Sequence, residues 1–369
     1  MKHARLWMLA LVLCGCSVAP YNTLIWNREN AECHNGIIDT GPWYEWWYYK
    51  VVLPYSGEAF YSSYGVVNPW DTAGEYAASK AYVSMGSFGA HERVTQFYPV
   101  SDFEASYEAT DVRIRDQRAT GASIAGDLVD DAGGEVSWDI QITTRWQYNA
   151  MGWAMFVPEI TNIFWYPAQA DARFTGAINY GGRIYQFENA PGYQDRNWGR
   201  TFPEWWAWIV ANHFEGYPDT ALAAGGGKPV ILGITDRVEG LSIGLFHQGR
   251  EYAFRPNEGD RERFVVNFGI WQVEAINSDG YRIEVEADAP CESFMDLMFP
   301  TPQGEEFHDF ESLTGEVTVR LYDRAGCIGN SWRLLETLRS DYAGIEYGDR
   351  DMALFDCLEN DFKVLYQNF

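Results

Sequence analysis

From residue 45 onward the chain runs in short apolar stretches broken by polar turns, and many of them alternate with the period of two that marks a strand with one buried face. Residues 45–53 are rich in aromatic and β-branched side chains, stop at Pro54 and turn at Ser56-Gly57, and residues 59–67 return as the second arm of a hairpin. Further strands are predicted at residues 81–87, 95–99, 112–115, 123–128 and 136–144. The alternation fades across residues 145–170, where Pro158 and Pro167 fall, and the pattern predicts a domain junction there. Beyond it, strands are predicted at 172–180, 182–188, 204–214, 230–238, 241–248 and 250–255, then at 265–267, 271–276, 281–287 and 316–323. Gly181-Gly182, Gln248-Gly249 and Asp279-Gly280 supply hairpin turns. Residues 224–228 are glycine-rich without the full phosphate-loop pattern or a following helix, and read as a wide turn. A terminal helix is predicted over 351–365. This is an all-β chain of two antiparallel barrels packed side by side, one spanning residues 42–160 and the other 161–369.

Composition agrees, because 16% aromatic residues and 35 glycines suit wide rings on pleated faces joined by tight turns. The chain carries 52 acidic against 27 basic residues, a net charge of −25, which repels phosphate backbones and makes nucleic acid an unsuitable partner. Its first sixteen residues hold Lys2 and Arg5, an apolar run at 6–13 and then Leu13-Cys14-Gly15-Cys16. That order predicts a lipoprotein signal at residues 1–16, cleaved before Cys16, whose acyl chains then anchor the protein to a bacterial envelope membrane facing the periplasm, the outer membrane by expectation. Residues 17–41 read as the tether. In that oxidising compartment Cys33, Cys291, Cys327 and Cys357 form one or two disulfides, with three complete pairings open. None has metal-finger spacing, the histidines are scattered, and no metal or other cofactor is expected.

The chemistry concentrates at 193–216. Asp195 and Arg196 stand side by side on what reads as a turn, and Trp198, Trp205, Trp206 and Trp208 follow. Period-two counting puts Glu204, Trp206, Trp208 and Asn212 on one face, and Glu45, Trp47 and Tyr49 on one face of the early strand. With both faces turned inward, two carboxylates and three tryptophans meet in one cavity. A carboxyl group in apolar surroundings stays protonated near neutral pH, and indole faces stabilise a cation by about 0.5–2 kcal/mol each. Acid chemistry on an apolar alkene needs both.

The same residues carry a family resemblance. Glu45, Trp47, Tyr48, Tyr49 and Lys50 fit a Glu-x-Trp-Tyr-aromatic-basic strand, and Asn68-Pro69 follows. Tyr193, Asp195, Arg196, Asn197, Trp198 and Gly199 fit Tyr-x-acid-base-Asn-Trp-Gly, and Phe202, Pro203, Trp206, Trp208, Asn212, Phe214, Glu215 and Gly216 fit the block after it. The chain resembles the tocopherol cyclase family, related to two-domain lipocalin-like proteins that include carotenoid hydratases, over about residues 43–348. The resemblance implies two lipocalin-like barrels and an intramolecular lyase that closes a prenylated hydroquinone to a chromanol without a cofactor. It implies Asp195 as the acid, one methylene shorter than the Glu of the plant members, with Glu45 as the alternative. Trp47, Tyr49, Tyr193, Asn197, Trp198, Trp206, Trp208 and Asn212 are then the expected substrate contacts, and the partner is an apolar prenylated small molecule. A lipoprotein that only binds or carries such a lipid, and an alkene hydratase, are the competing expectations.

Overall fold

The computed structural model describes residues 21–26, 40–130, 132–325 and 331–350. The expected lipoprotein signal with Cys16, most of the expected tether, Cys33, Cys327, Cys357 and the terminal helix expected at 351–365 lie outside the described residues. Cys291 is disulfide-bonded, and every other cysteine of the chain lies outside them.

Among the described residues the only helical pieces are 3-10 turns; the rest is strand and loop. The first sheet holds β1 (Tyr44–Leu53), β2 (Glu58–Val67), β3 (Lys80–Ser87), β4 (Glu92–Tyr98), β5 (Phe103–Ala105), β6 (Asp111–Ile114), β7 (Gln117–Thr120), β8 (Ser123–Val129), β9 (Glu135–Trp146), β10 (Ile163–Tyr180) and β11 (Arg183–Gly199). The second holds β12 (Trp205–Ala211), β13 (Ala221–Gly227), β14 (Gly240–His247), β15 (Arg250–Phe254), β16 (Arg261–Asn267), β17 (Ile270–Ile276), β18 (Tyr281–Asp288), the short β19 (Met295–Asp296) and β20 (Phe299–Pro300), β21 (Glu306–Arg324) and β22 (Trp332–Asp349).

Both sheets wind the same way. Four strands meander outward, a 3-10 turn (Val100–Asp102, or Pro256–Glu258) carries the chain to the opposite edge, and the last strand returns to pair with the first. Tyr44 thus lies opposite Gly199, and Trp205 opposite Asp349. The result is two nearly closed antiparallel barrels, a closure that leaves little free edge for stray pairing.

Every residue of β1 is buried, because Trp47, Tyr49 and Val51 fill the first barrel while Trp46, Tyr48 and Val52 enter a core between the barrels. In the second barrel Ala207, Ile209 and Ala211 face the interior, and Trp206, Trp208 and Val210 face the shared core. A strand buried on both faces reads as a continuous apolar run, so its phase is invisible in sequence.

Three expectations change. The change of sheet falls between Gly199 and Trp205, whereas residues 145–170 lie inside the first sheet: β9 and β10 pair, with Asp171 opposite Trp146. The fading pattern there records a connection with a 3-10 turn at Gly152–Phe156, followed by a strand partly buried on both faces. Residues 230–238 form no strand but a loop closed by an Ile231–Thr235 bridge. Finally, the glycine-rich stretch is strand β13, not a turn. A Cβ on Gly226 would stand 2.0 Å from the Gly240 carbonyl oxygen, so glycine lets these strands approach.

Candidate active site between the barrels

A cavity of about 490 Å³ opens between the barrels, within the size range of small-molecule sites. Its first-barrel wall carries Trp46 and Tyr48 of β1, Trp165 of β10, and Asp195 and Asn197 of β11. Its second-barrel wall carries Trp206 and Trp208 of β12, the glycines of β13, Glu311 of β21 and Glu346 of β22.

Asp195 lies within strand β11, not on a turn, so it and Arg196 project to opposite sides of the sheet. Arg196 enters the first barrel, where it pairs with Glu45 and its guanidinium lies over Trp47 and Trp198. The base that would hold Asp195 ionised is therefore screened from it by the sheet. Asp195 Oδ2 accepts the Trp165 indole N–H (2.7 Å) and the Tyr193 hydroxyl (2.8 Å). Its Oδ1 is buried and has no hydrogen-bond partner. Burial pushes the Asp195 carboxyl up to about 7, against the opposing pull of the Trp165 and Tyr193 donors. Tyr193 also accepts the Trp208 indole N–H (3.1 Å), which fixes that ring edge-on to Tyr193.

On the facing wall Glu311 and Glu346, with Asp309 beside them, gather carboxylate oxygens within 4.8 Å of one another. Asp309 accepts the Trp206 indole N–H (3.0 Å), and Glu311 accepts the Tyr48 hydroxyl. Burial lifts Asp309 to about 7, and it lifts Glu311 and Glu346 well above the carboxylate range, with mutual repulsion adding to the effect. Three oxygen ligands so close would suit a hard cation by chemistry. Their burial among indoles instead favours shared protons, because like charges at this spacing cannot all ionise. Lys50, buried with its Nζ unpartnered 5.9 Å from the Trp208 ring, is pushed down to about 8 by burial, while Glu311 opposes that fall.

Several expected residues lie elsewhere. Glu45, Trp47 and Tyr49 belong to the opposite face of β1 from the cavity, since the phase assigned to that strand is off by one residue. Glu45 is buried and accepts the Ile25 N–H, the Trp26 N–H, the Trp43 indole and the Arg196 guanidinium. Burial raises its pKa, and the guanidinium opposes the rise first, followed by the N–H donors. Trp47 donates to the Asn22 carbonyl (3.1 Å). Trp198 packs with Trp43, Met155 and Phe164, away from the cavity. Asn212 donates to the Gly192 carbonyl (2.5 Å) and ties β12 to β11. Tyr193 sits behind Asp195, one bond from the cavity. In the amide orientation that satisfies both ends, Asn197 accepts the Trp46 indole (3.1 Å) and donates to the Phe164 carbonyl (3.2 Å).

Tyr48 and Lys50 enter sequence reasoning only as motif positions, and Trp46, Trp165 and the three carboxylates are site residues that it passes over. One signal was available for two of them: Phe307, Asp309, Glu311 and Leu313 share a face at period two, an unusual placing of paired acids among core residues.

Two nearly closed barrels with an aromatic, acid-bearing cavity between them define the class of this protein: a two-barrel β-protein with its cavity at the seam. Residues 74–349 match the family described as tocopherol cyclase-like, and the chain belongs to that family. It is 26% identical over 391 residues to the chloroplastic tocopherol cyclase of Zea mays, covering 90% of this chain and 81% of the relative. A probable chloroplastic tocopherol cyclase of Oryza sativa subsp. japonica is 25% identical over 360 residues, covering 83% and 75%. Among solved structures, CghA superposes with a TM-score of 0.51 at 11% identity over 90% of this chain and 95% of its own, a likeness of fold alone.

Proposed function

We propose that the protein closes the ring of a prenylated hydroquinone by acid catalysis, an intramolecular lyase reaction. The observation that carries this reading is Asp195, a residue of the apolar cavity wall: one of its oxygens is held by two donors, and the other is buried and unpartnered. A carboxyl group kept protonated near pH 7 in such a place is equipped to give a proton to an alkene. The tocopherol cyclases of maize and rice, by their names, support the substrate class.

In this reading Asp195 Oδ1–H gives its proton to the less substituted carbon of the first prenyl double bond. The alkene's electron pair forms the new C–H bond and leaves a tertiary cation, which faces the indoles of Trp165, Trp206 and Trp208. The neighbouring phenol oxygen attacks that carbon, forming the C–O bond of the chromanol. The phenol proton passes to the Glu311–Glu346–Asp309 group, of which Asp309, pushed up to about 7, is ionised in part at neutral pH. Asp195 and Glu311 interact electrostatically across the site, and return of the proton to Asp195 restores the starting state. No oxidation state changes.

Incubation with a prenylated hydroquinone in D2O tests the reading. The expected product is a chromanol carrying one deuterium on the former alkene carbon. Recovery of unlabelled substrate despite tight binding would make the protein a carrier, and a labelled tertiary alcohol would make it a hydratase.

A further inference from the structure

The large apolar side chains that the protein leaves in water are not evenly spread. Trp153 (51% exposed) and Phe156 (54%) lie on the 3-10 turn between β9 and β10, and Leu232 (61%), Ile234 (83%) and Val238 (48%) lie on the loop between β13 and β14. The two segments are stitched together: the Leu232 N–H donates to the Ile160 carbonyl (2.8 Å), and Thr161 bridges to Ile231. Trp153 and Val238 also line the cavity, so this patch adjoins its mouth.

The tip of the loop is built at a cost. Leu232 and Gly233 both take left-handed backbone (φ 52° and 64°), a conformation unfavourable for leucine, and the turn presents Leu232 and Ile234 outward. Exposed apolar groups on a strained tip, around the mouth of an apolar cavity, mark an interaction surface.

Where the chain enters this region argues for its occupant. Tyr21 packs edge-on against Phe156, with ring centroids 5.7 Å apart, so Tyr21 lies on the side of the molecule that carries the patch. Cys16, the expected acylation site, is five residues earlier and cannot lie more than about 18 Å away along an extended chain. A net charge of −25 works against attraction to anionic headgroups, so apolar insertion is the holding force this patch can supply.

We propose that this rim docks onto a lipid bilayer, with Leu232 and Ile234 inserted among the acyl chains and the cavity mouth opening directly into the membrane. An apolar ligand then passes from bilayer to cavity without crossing water, and a long prenyl tail remains in the lipid while its head occupies the cavity. The proposal concerns delivery, not the reaction, and stands whether the protein is a cyclase or a carrier.

The full-length acylated protein, reconstituted in phosphatidylcholine vesicles containing brominated lipid, tests it by tryptophan quenching. Quenching is expected in wild type and should shrink in Trp153→Phe, which removes the reporter nearest the bilayer. In a Leu232→Asp/Ile234→Asp variant, transfer of a prenylated quinone from vesicles, read by quenching of cavity tryptophans, should slow by about 10–100-fold, since burying each aliphatic side chain is worth a factor of about ten or more. Uptake of the same quinone from detergent should be unchanged, which shows that fold and cavity survive. Ile184→Asp, which alters an exposed apolar residue of β11 (66% exposed), serves as control and should transfer normally. Equal quenching in wild type and Trp153→Phe together with unchanged vesicle transfer in the double variant would overturn the proposal. So would a dimer in detergent that the double variant abolishes, which would assign the patch to a second copy of the chain.

Discussion

Replacing Glu45 by glutamine separates a structural acid from a catalytic one. Glu45 and Arg196 form an ion pair with both side chains wholly buried, so removing one charge leaves the other desolvated. Breaking such a pair from one side costs about 3–5 kcal/mol. The lower end applies here. Arg196 keeps the Tyr21 carbonyl (2.6 Å) and the Thr23 carbonyl and stays over two indoles, while the glutamine oxygen still accepts from Ile25, Trp26 and Trp43. A loss of about 3 kcal/mol lowers the melting temperature of a unit of this size by about 6–12 °C. Thermal unfolding by circular dichroism measures this, and ring closure at 25 °C per folded molecule should stay within about twofold of wild type. An unchanged melting temperature with lost ring closure would refute the reasoning and return Glu45 to the role of acid.

Other outcomes follow from the same geometry. A Cβ on Gly226 meets backbone at 2.0 Å, whereas one on Gly225 meets the edge of the Trp165 ring at 3.0 Å. Gly226→Ala should therefore cost folding stability by more than the roughly 1–3 kcal/mol of ordinary overpacking, while Gly225→Ala should disturb the Trp165 donation to Asp195 and lower turnover with little loss in melting temperature. Tyr193→Phe removes a hydrogen bond that favours the Asp195 carboxylate, so the alkaline fall of the pH–rate profile should move to higher pH; a shift to lower pH would contradict the assignment. Asp195 and Asp309, both pushed up to about 7, hold protons in the folded state that the unfolded chain releases above about 4. Stability should therefore fall as pH rises from 4 to 7, with a higher melting temperature at pH 5 than at pH 8, and Asp309→Asn should flatten the slope.

The barrels were legible because most strands of the chain have one wet face: β9, with its alternating burial, was found nearly whole. Strands against the shared core were harder. In β1 both faces are apolar, so period-two counting gave the right partition, Trp47 with Tyr49 and Trp46 with Tyr48, but not which set meets the second barrel. The phase assigned to β12 placed Trp206 and Trp208 together correctly, because both face the cavity. Asp195 stood out through its motif. Glu311 and Glu346 did not, because the strands carrying them were read short or missed, and their proximity depends on the long-range pairing of β21 with β22, where they lie opposite each other. The lost alternation at 145–170 looked like a boundary because a connection within one sheet and a linker between two share the same local composition.

Asp195→Asn decides whether Asp195 is the proton donor. Initial rates of ring closure on a prenylated hydroquinone are measured at pH 6 beside ligand affinity from tryptophan fluorescence. The expected result is a fall in rate of about 10²–10⁴-fold with affinity near wild type. Ring closure at the wild-type rate by Asp195→Asn would contradict it.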